Sequence, residues 1–483
     1  MQGITNQSLL KHCSFINGQW MESDDSFELI NPANNELLAN INEVTDGQLE
    51  LAVQSANSAL STWQALSAHQ RASLMLAWEQ KIADNINDLA LLMTREQGKP
   101  LADAKGEILY GNTFINWFAE EGKRVYGDMI PAPTSDKRIM VTKQAVGVVG
   151  AITPWNFPSA MITRKAAAAL AAGCTFIVKP AAETPLSALA LAALAKEAGI
   201  PDGVINVVVG TDAPKIGSVL TTHPDISKFT FTGSTRTGKI LTQQCASSVK
   251  KVSMELGGNA PFIVFDDADL EAAANALVAA KFRNAGQVCI CPNRVYVNNA
   301  VMDKFAALIE KKVATLKQGN GEEPGMHLGC LIHQQAADNV HNMVEQAIRD
   351  GAKLVKGGLS QKPSTAFYPP TILANVEHGS EISKNEIFGP VITLLGFDSE
   401  SEAIEKANDT EYGLACYFFS EGLKRCMRVA EQLDYGMVGV NETAISNTVA
   451  PFGGVKQSGY GREGSKYGLD DYLEIKYTCF GGF

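Results

Sequence analysis

Two cysteines, Cys289 and Cys291, stand two positions apart in "NAGQVCICPNR", residues 284–294. Four chemistries are open to such a pair: metal ligation, half of a disulfide, apolar packing, or nucleophilic attack. Zinc needs about four ligands, commonly as two close pairs. The Cys-Ile-Cys spacing is too tight for one pair, and the seven histidines are scattered (His12, His69, His223, His327, His333, His341, His378). No metal site is expected. Nine cysteines at irregular spacings make no disulfide framework in a chain of 483 residues. Cys13, Cys174, Cys245, Cys330, Cys416, Cys426 and Cys479 read as small apolar fillers. Cys289 differs, because it follows Gly286 and Gln287, where a loop exposes it near a helix end and a lowered thiol pKa is expected. No histidine is close enough in sequence to serve as its base, which disfavours a Cys–His hydrolase.

Three further stretches combine glycine, proline and reactive side chains. In "FTGSTRTGK", Gly233 and Gly238 bracket Ser234 after a strand and before a helix. Backbone N–H groups there could receive a phosphate, or the stretch is an ordinary strand-to-helix turn. It lacks both the P-loop and the Gly-x-Gly-x-x-Gly patterns. In "VSMELGGNAP", Glu255 lies between Met254 and Leu256. It is either a partly desolvated general base with a raised pKa or a solvated turn residue. In "AITPWNFP", Pro154 and Pro158 bracket Asn156, an amide held to aim its N–H at one atom or a turn cap.

These residues need elements to place them. The helical periodicity of "TDGQLELAVQSANSALSTWQAL" and "SAHQRASLMLAWEQKIADNINDLALLMTREQG" makes the first hundred residues read mainly as amphipathic helix. From about residue 145, short apolar strands alternate with helices of ten to fifteen residues ("AVGVVGAITP", "RKAAAALAAG", "CTFIVKP", "PLSALALAALAKEAG", "GVINVVVG"), the pattern of βαβ units and a parallel sheet. A second cycle from "KKVSMELGGNAPFIVFDDADLEAAANALVAAKFRN" through "GPVITLLGF" predicts a second α/β domain. Residues 124–144 read as a projecting hairpin around a Pro-rich turn. The ending "YLEIKYTCFGGF" reads as one more strand, and both are edges that a second subunit could pair with.

With 45% apolar and 19% charged residues the composition is that of a soluble globular protein, and the net charge of −11 argues against a nucleic-acid surface, which would need a basic face. No uninterrupted apolar stretch reaches the roughly 18 residues of a membrane span, so no membrane partner and a cytoplasmic setting are expected.

"TPWNFP", "FTGST", "ELGGNAP", "FRNAGQVC", "NEIFGP" and "PFGGVKQSGYGRE" occur in an order and spacing that resemble the aldehyde dehydrogenase superfamily over nearly the whole chain. "AEEGKRVYGDMIP", "AMITRK", "KFRNAGQVCICPNR" and "GREGSKYGLDDYLEIKY" resemble its succinate-semialdehyde dehydrogenases. The resemblance implies an α/β fold: a Rossmann-like NAD(P)-binding domain (1–123 and 145–254), a second α/β catalytic domain (255–458), and a small β oligomerisation element (124–144 and 459–483) that builds a homodimer or homotetramer. It implies that Cys289 is the nucleophile, that Asn156 with the Cys289 N–H forms the oxyanion site, and that Glu255 activates water. Lys165 would play a supporting part. For the coenzyme it implies Thr153, Pro154, Trp155, Gly233, Ser234, Lys179 at the adenosine ribose, and Glu386 with Phe388 at the nicotinamide end. NAD-preferring members often carry Glu three residues after the Lys179 position. Here Ala182 stands there and Glu183 follows, which favours NADP with NAD tolerated.

Arg164 and Arg283 fall at the subgroup's substrate-binding positions, with Ser446 as a third contact, and guanidinium forks suit a terminal carboxylate. The expected reaction is oxidation of succinate semialdehyde to succinate, with degradation of 4-aminobutyrate as the commonest setting. Glutarate semialdehyde, one methylene longer, or another small aldehyde is the alternative, since a methylene changes binding by only about 1 kcal/mol. An inactive scaffold of the same fold is the reading from another class, against which the retained Cys289, Glu255 and Asn156 argue. A retained Glu255 also favours water over coenzyme A as acyl acceptor. Some relatives close a reversible Cys-x-Cys disulfide. Cys291 is either such a redox partner, in a small strained ring that reduces readily, or a passive second thiol.

Overall fold

The computed structural model describes residues 2–483. Capping fixes the starts of the first helices. Thr45 and Gln48 form a reciprocal capping box on Asp46–Ala65, and Ser67 with Gln70 does the same for Ala68–Asp84. The helices Ile86–Gln97 and Leu101–Glu121 follow. The region before them departs from the helical reading. Strands run over Ser14–Ile16, Gln19–Met21, Ser26–Ile30 and Leu37–Asn42. The first two form a hairpin through Asn17 and Gly18, both at positive φ (50° and 72°). An Asn-Gly pair is the strongest short hairpin signal because a type I′ turn needs positive φ at both positions.

An eight-stranded sheet carries five adjacent parallel strands in the order Lys251–Glu255, Ile226–Thr232, Val148–Ile152, Thr175–Lys179 and Ile205–Val207. The N-terminal hairpin adds antiparallel at one edge and Gly459–Tyr460 at the other. Chain order reverses direction between Val148–Ile152 and Ile226–Thr232, the switch point at which open parallel sheets bind ligands beyond their carboxyl ends. The strands are buried on both faces by separate apolar clusters, which is why they read as continuous apolar runs rather than alternating ones.

A second, seven-stranded sheet is centred on Ala260–Val264 and Pro292–Asn298 and is parallel apart from one edge pair, Lys353–Lys356 with Thr371–Ala374. Its own apolar cluster includes Phe157, Met161, Val288 and Cys291. The first two of these come from the other side of the molecule, so the two α/β units share a packed seam.

Asp128–Ile130, Lys137–Ala145 and Leu473–Gly481 form a three-stranded antiparallel sheet. The chain enters it at Leu473, after Leu469 and Tyr472 have packed into the body. No helix among the described residues is long and apolar enough to cross a membrane.

Candidate active site

Four of the parallel strands end side by side, and their ends deliver the predicted residues. Val148–Ile152 leads into Thr153, Pro154, Trp155 and Asn156; Ile226–Thr232 leads into Gly233 and Ser234; Lys251–Glu255 ends on Glu255; Thr175–Lys179 ends on Lys179. Cys289 comes from the opposite unit. The helix Leu270–Phe282 ends, and Asn284, Ala285 and Gly286 then take left-handed backbone (φ 48°, 53° and 80°). Two glycines allow this loop its place. A Cβ on Gly286 would stand 2.2 Å from the Gly389 carbonyl oxygen, and one on Gly258 would stand 2.4 Å from that of Cys289. The glycines of "ELGGNAP" and "NAGQVC" therefore permit a backbone approach that no side chain would.

Asn156 is buried and donates from Nδ2 to the Gln287 carbonyl (3.1 Å). That leaves one amide hydrogen uncommitted. The Asn156 backbone carbonyl accepts from Lys99 Nζ (2.7 Å) and Asn284 Nδ2 (3.0 Å), while the side-chain Oδ1 has no partner. Lys99 is itself paired with Glu107 (2.5 Å), both side chains fully buried, and the other Glu107 oxygen accepts from the Ser159 and Ala160 N–H groups at the start of helix Ala160–Ala172. A carboxylate at a helix N-terminus meets unpaired donors and the positive end of the dipole. Neither residue was picked out from sequence. The signal was present: Glu107 lies on the apolar stripe Ala104, Ile108, Gly111, Phe114 of its helix, where a lone charge needs a partner.

Glu255 is buried, with Oε2 lacking any hydrogen bond. Burial and the neighbouring Glu463 push its pKa well above the usual carboxylate range, against Arg164, Lys165 and Arg462. Glu463, in the "GRE" of the last motif, was not assigned from sequence. Burial works to raise its pKa, but Lys165 and Arg164 prevail and hold it below its ordinary value. Lys165 bonds to Glu463 and to Thr230 Oγ1 (3.2 Å).

The expected low pKa at Cys289 is overturned. The thiol is half-buried, and desolvation, then Glu386 and Glu255, push it up to about 12 against Arg164 and its own N–H. A helix end is visible in sequence, whereas the two carboxyls that folding brings within electrostatic reach of the sulfur are not. Glu386 itself is raised to about 8 by burial, opposed by a long bond from the Gly258 N–H (3.4 Å). Cys291 is buried, with Sγ towards the Lys281 and Pro292 carbonyls (3.7 and 3.8 Å), and all nine cysteines are free thiols.

Two cavities meet at Cys289. One, of about 310 Å³, is lined by Pro154, Trp155, Asn156, Met161, Thr232, Gly233, Ser234, Leu256, Gly257, Cys289, Glu386 and Phe388. Phe388, at φ 51°, packs edge-on to Trp155 with ring centroids 5.5 Å apart. Ser234 caps helix Thr235–Ala246, accepting from the Thr237 N–H, while the Gly233 N–H is already given to the Glu255 carbonyl. The phosphate-receiving capacity therefore lies in the helix start rather than in Gly233 itself. A Gly257 Cβ would crowd Glu386 Oε2 at 3.0 Å, and the Thr153 and Thr232 hydroxyls are buried without partners. An apolar cleft with polar groups at the carboxyl edge of a parallel sheet fits a nicotinamide dinucleotide. Lys179, with its pKa lowered by burial, Thr153 and Ala182 lie outside this cavity. Thr153 N–H donates to the Lys179 carbonyl (3.1 Å), and Glu183 is exposed.

The second cavity is lined by Tyr110, Phe157, Met161, Arg164, Arg283, Val288, Cys289, Ile290, Ser446 and Phe452. Arg164 Nε lies 2.6 Å from Glu463 Oε2 without hydrogen-bond geometry, and its guanidinium sits over the Phe114 and Phe452 rings. Arg283 is exposed, stacks 5.0 Å from the Phe157 ring, and makes no ion pair among the described residues. The uncompensated charge at this mouth is thus that of Arg283. Sequence reasoning missed Tyr110, which faces Ser446 across the cavity.

The aldehyde dehydrogenase family model matches residues 20–478. The 3-sulfolactaldehyde dehydrogenase of Pseudomonas putida is 52% identical, covering 100% of this chain and 99% of that protein. The NADP-dependent succinate-semialdehyde dehydrogenase GabD of Escherichia coli (strain K12) is 51% identical, and the glutarate-semialdehyde dehydrogenase of Pseudomonas aeruginosa is also 51% identical. Each match covers 99% of both chains. A crystal structure described as an E. coli NADP-dependent enzyme superposes with a TM-score of 0.97 at 51% identity, covering 99% of this chain and 100% of that one. The chain belongs to the aldehyde dehydrogenase family.

Proposed function

We propose that this aldehyde dehydrogenase oxidises succinate semialdehyde to succinate with NADP as the favoured coenzyme. The observation that carries the reading is the meeting of two unlike cavities at one sulfur. One is apolar and suits a nicotinamide; the other presents Arg164, Arg283 and Ser446 to an anionic tail. The relatives' names support the same class, since succinate semialdehyde, glutarate semialdehyde and 3-sulfolactaldehyde are all short aldehydes ending in an anion.

The thiol gives its proton to solvent. Cys289 Sγ then bonds to the aldehyde carbon as the carbonyl π pair moves to oxygen. The free Asn156 amide hydrogen and the Cys289 N–H donate to that oxygen, each such donor being worth about 3 kcal/mol of barrier. Bound coenzyme supplies the hydride acceptor. Loss of hydride from the carbon leaves a thioester on Cys289. Glu255, whose raised proton affinity suits it to receive a proton, takes one from water, whose oxygen attacks the thioester carbon. The C–S bond breaks, and the acid leaves.

Ala182 puts no carboxylate three residues after Lys179 to bond the ribose hydroxyls, and although Glu183 and Glu43 place negative charge within reach of the lysine, Lys179 offers a 2′-phosphate its cation, which supports NADP. We read the three-stranded sheet as the element that joins subunits, with residues 1–123 and 145–254 binding coenzyme and 255–458 completing the catalytic unit.

Steady-state kinetics test the reading. Succinate semialdehyde should give the highest kcat/KM of a panel of aldehydes with and without a terminal anion, and NADP should exceed NAD. A preference for uncharged aldehydes, or a large preference for NAD, would overturn the corresponding half.

A further inference from the structure

The substrate-side cavity holds a hydroxyl pair that the motifs did not mark. Tyr110 lies in the middle of helix Leu101–Glu121, and Ser446 lies in the loop after strand Met437–Val440. Their oxygens are 2.5 Å apart, and both residues are half-buried in the cavity wall beside Arg164, Arg283 and Cys289. In such a contact one hydroxyl donates to the other, and only one of the two hydrogens is used. The second hydrogen meets no acceptor among the described residues. The pair has the form O–H···O–H with its free end available to the cavity, and the first bond polarises the second.

The Tyr110 ring is held apart from its hydroxyl's work. It packs edge-on against Phe114, with centroids 5.0 Å apart at 87°, and the other neighbour of Phe114 is the Arg164 guanidinium at 4.9 Å. Helix Leu101–Glu121 thereby sets Tyr110 and one of the two arginines by a single stacked column. Arg164 is already answered by Glu463, while Arg283 lies at the open side of the cavity. A receiver for an anion on the remaining side has to be a neutral donor, and the hydroxyl pair is the one present.

We infer that Tyr110 is a specificity-determining residue, its hydroxyl acting with Ser446 as a coupled donor that binds the anionic end of the substrate. This rests on the reading of the substrate as an aldehyde with a terminal anion. A neutral aldehyde of the same length gains nothing from the pair, whereas a carboxylate accepts a charge-assisted bond from it.

The test compares kcat/KM for succinate semialdehyde with that for butanal, in the wild type and in Tyr110→Phe, Ser446→Ala and the double variant. Phenylalanine keeps the ring stacked on Phe114 and removes only the hydroxyl. The anionic-to-neutral ratio should fall at least about tenfold in Tyr110→Phe, mostly through KM, as expected for loss of a hydrogen bond to a charged group. The double variant should lose less than the product of the two single losses, because either change breaks the pair. A wild type with no preference for the anionic aldehyde would overturn both the substrate reading and this inference. A wild-type preference that survives intact in Tyr110→Phe would overturn this inference alone, and so would strictly multiplicative losses.

Discussion

A thiol held near pKa 12 is a poor nucleophile at neutral pH, and the structure states why. Burial removes the water that would solvate a thiolate, and Glu386 and Glu255, once ionised, oppose the thiolate further. The protein alone therefore keeps Cys289 protonated and protected. The sign gives a prediction. Glu386 ionises only above about pH 8, so Glu386→Gln removes a negative neighbour there and lowers the Cys289 pKa in that range. Alkylation of Cys289 by iodoacetamide, followed across pH by peptide mass spectrometry, should match the wild type below pH 7 and become faster in Glu386→Gln above about pH 8. Equal or slower alkylation above pH 8 would mean that Glu386 does not act on the sulfur. The cysteine, the glutamate and the asparagine were all legible in the sequence because motif spacing marks them. The direction of the cysteine's pKa was not, because it depends on a carboxyl 97 positions further along the chain.

At the level of elements, the oxyanion asparagine is held from behind. Lys99 and Glu107 tie the Asn156 carbonyl to the N-terminus of helix Ala160–Ala172. A fully buried pair loses about 3 kcal/mol or more when one partner is removed, because the other is left charged and unpaired. Glu107→Gln should lower the thermal midpoint and kcat together. Replacing both partners with apolar residues, Lys99→Met with Glu107→Leu, should restore part of the stability, the Ser159 and Ala160 N–H groups being left without their acceptor, but not kcat, since the Asn156 backbone carbonyl then also loses its lysine donor. Recovery of kcat in the double variant would assign the pair a purely structural part. Elements differed in how readable they were. Capping boxes at Thr45 and Ser67 mark the helix starts locally. The strand Gln19–Met21 is only three residues long and gains its identity by pairing, so periodicity passes over it even though Asn17–Gly18 announces the turn.

For the whole molecule, the three-stranded sheet is the part that makes no sense alone. Every residue from Glu474 to Gly481 except Thr478 is exposed. Ile475, Tyr477 and Phe480, with Met129 and Ile130 on the strand at the other edge of the sheet, leave large apolar side chains in water. Exposed apolar surface with an unpaired sheet edge supports the proposal that this sheet joins subunits. Tyr477→Glu should shift the mass measured by light scattering towards the monomer, whereas an unchanged mass would place the contact elsewhere. The hairpin and terminal strand were visible in the sequence as extended runs outside the α/β pattern. Their pairing with each other, nine residues in register, was not, because more than 300 residues separate them.

The claim on which the account turns is that Cys289 carries the acyl group and Glu255 directs the water that removes it. The direct measurement is the intact mass of Glu255→Gln after incubation with NADP and succinate semialdehyde, followed by peptide mapping. The account predicts one succinyl group per chain, placed on Cys289, with a single turnover's worth of reduced coenzyme. An unmodified chain that continues to turn over at the wild-type rate, or an acyl group on any other residue, would contradict it.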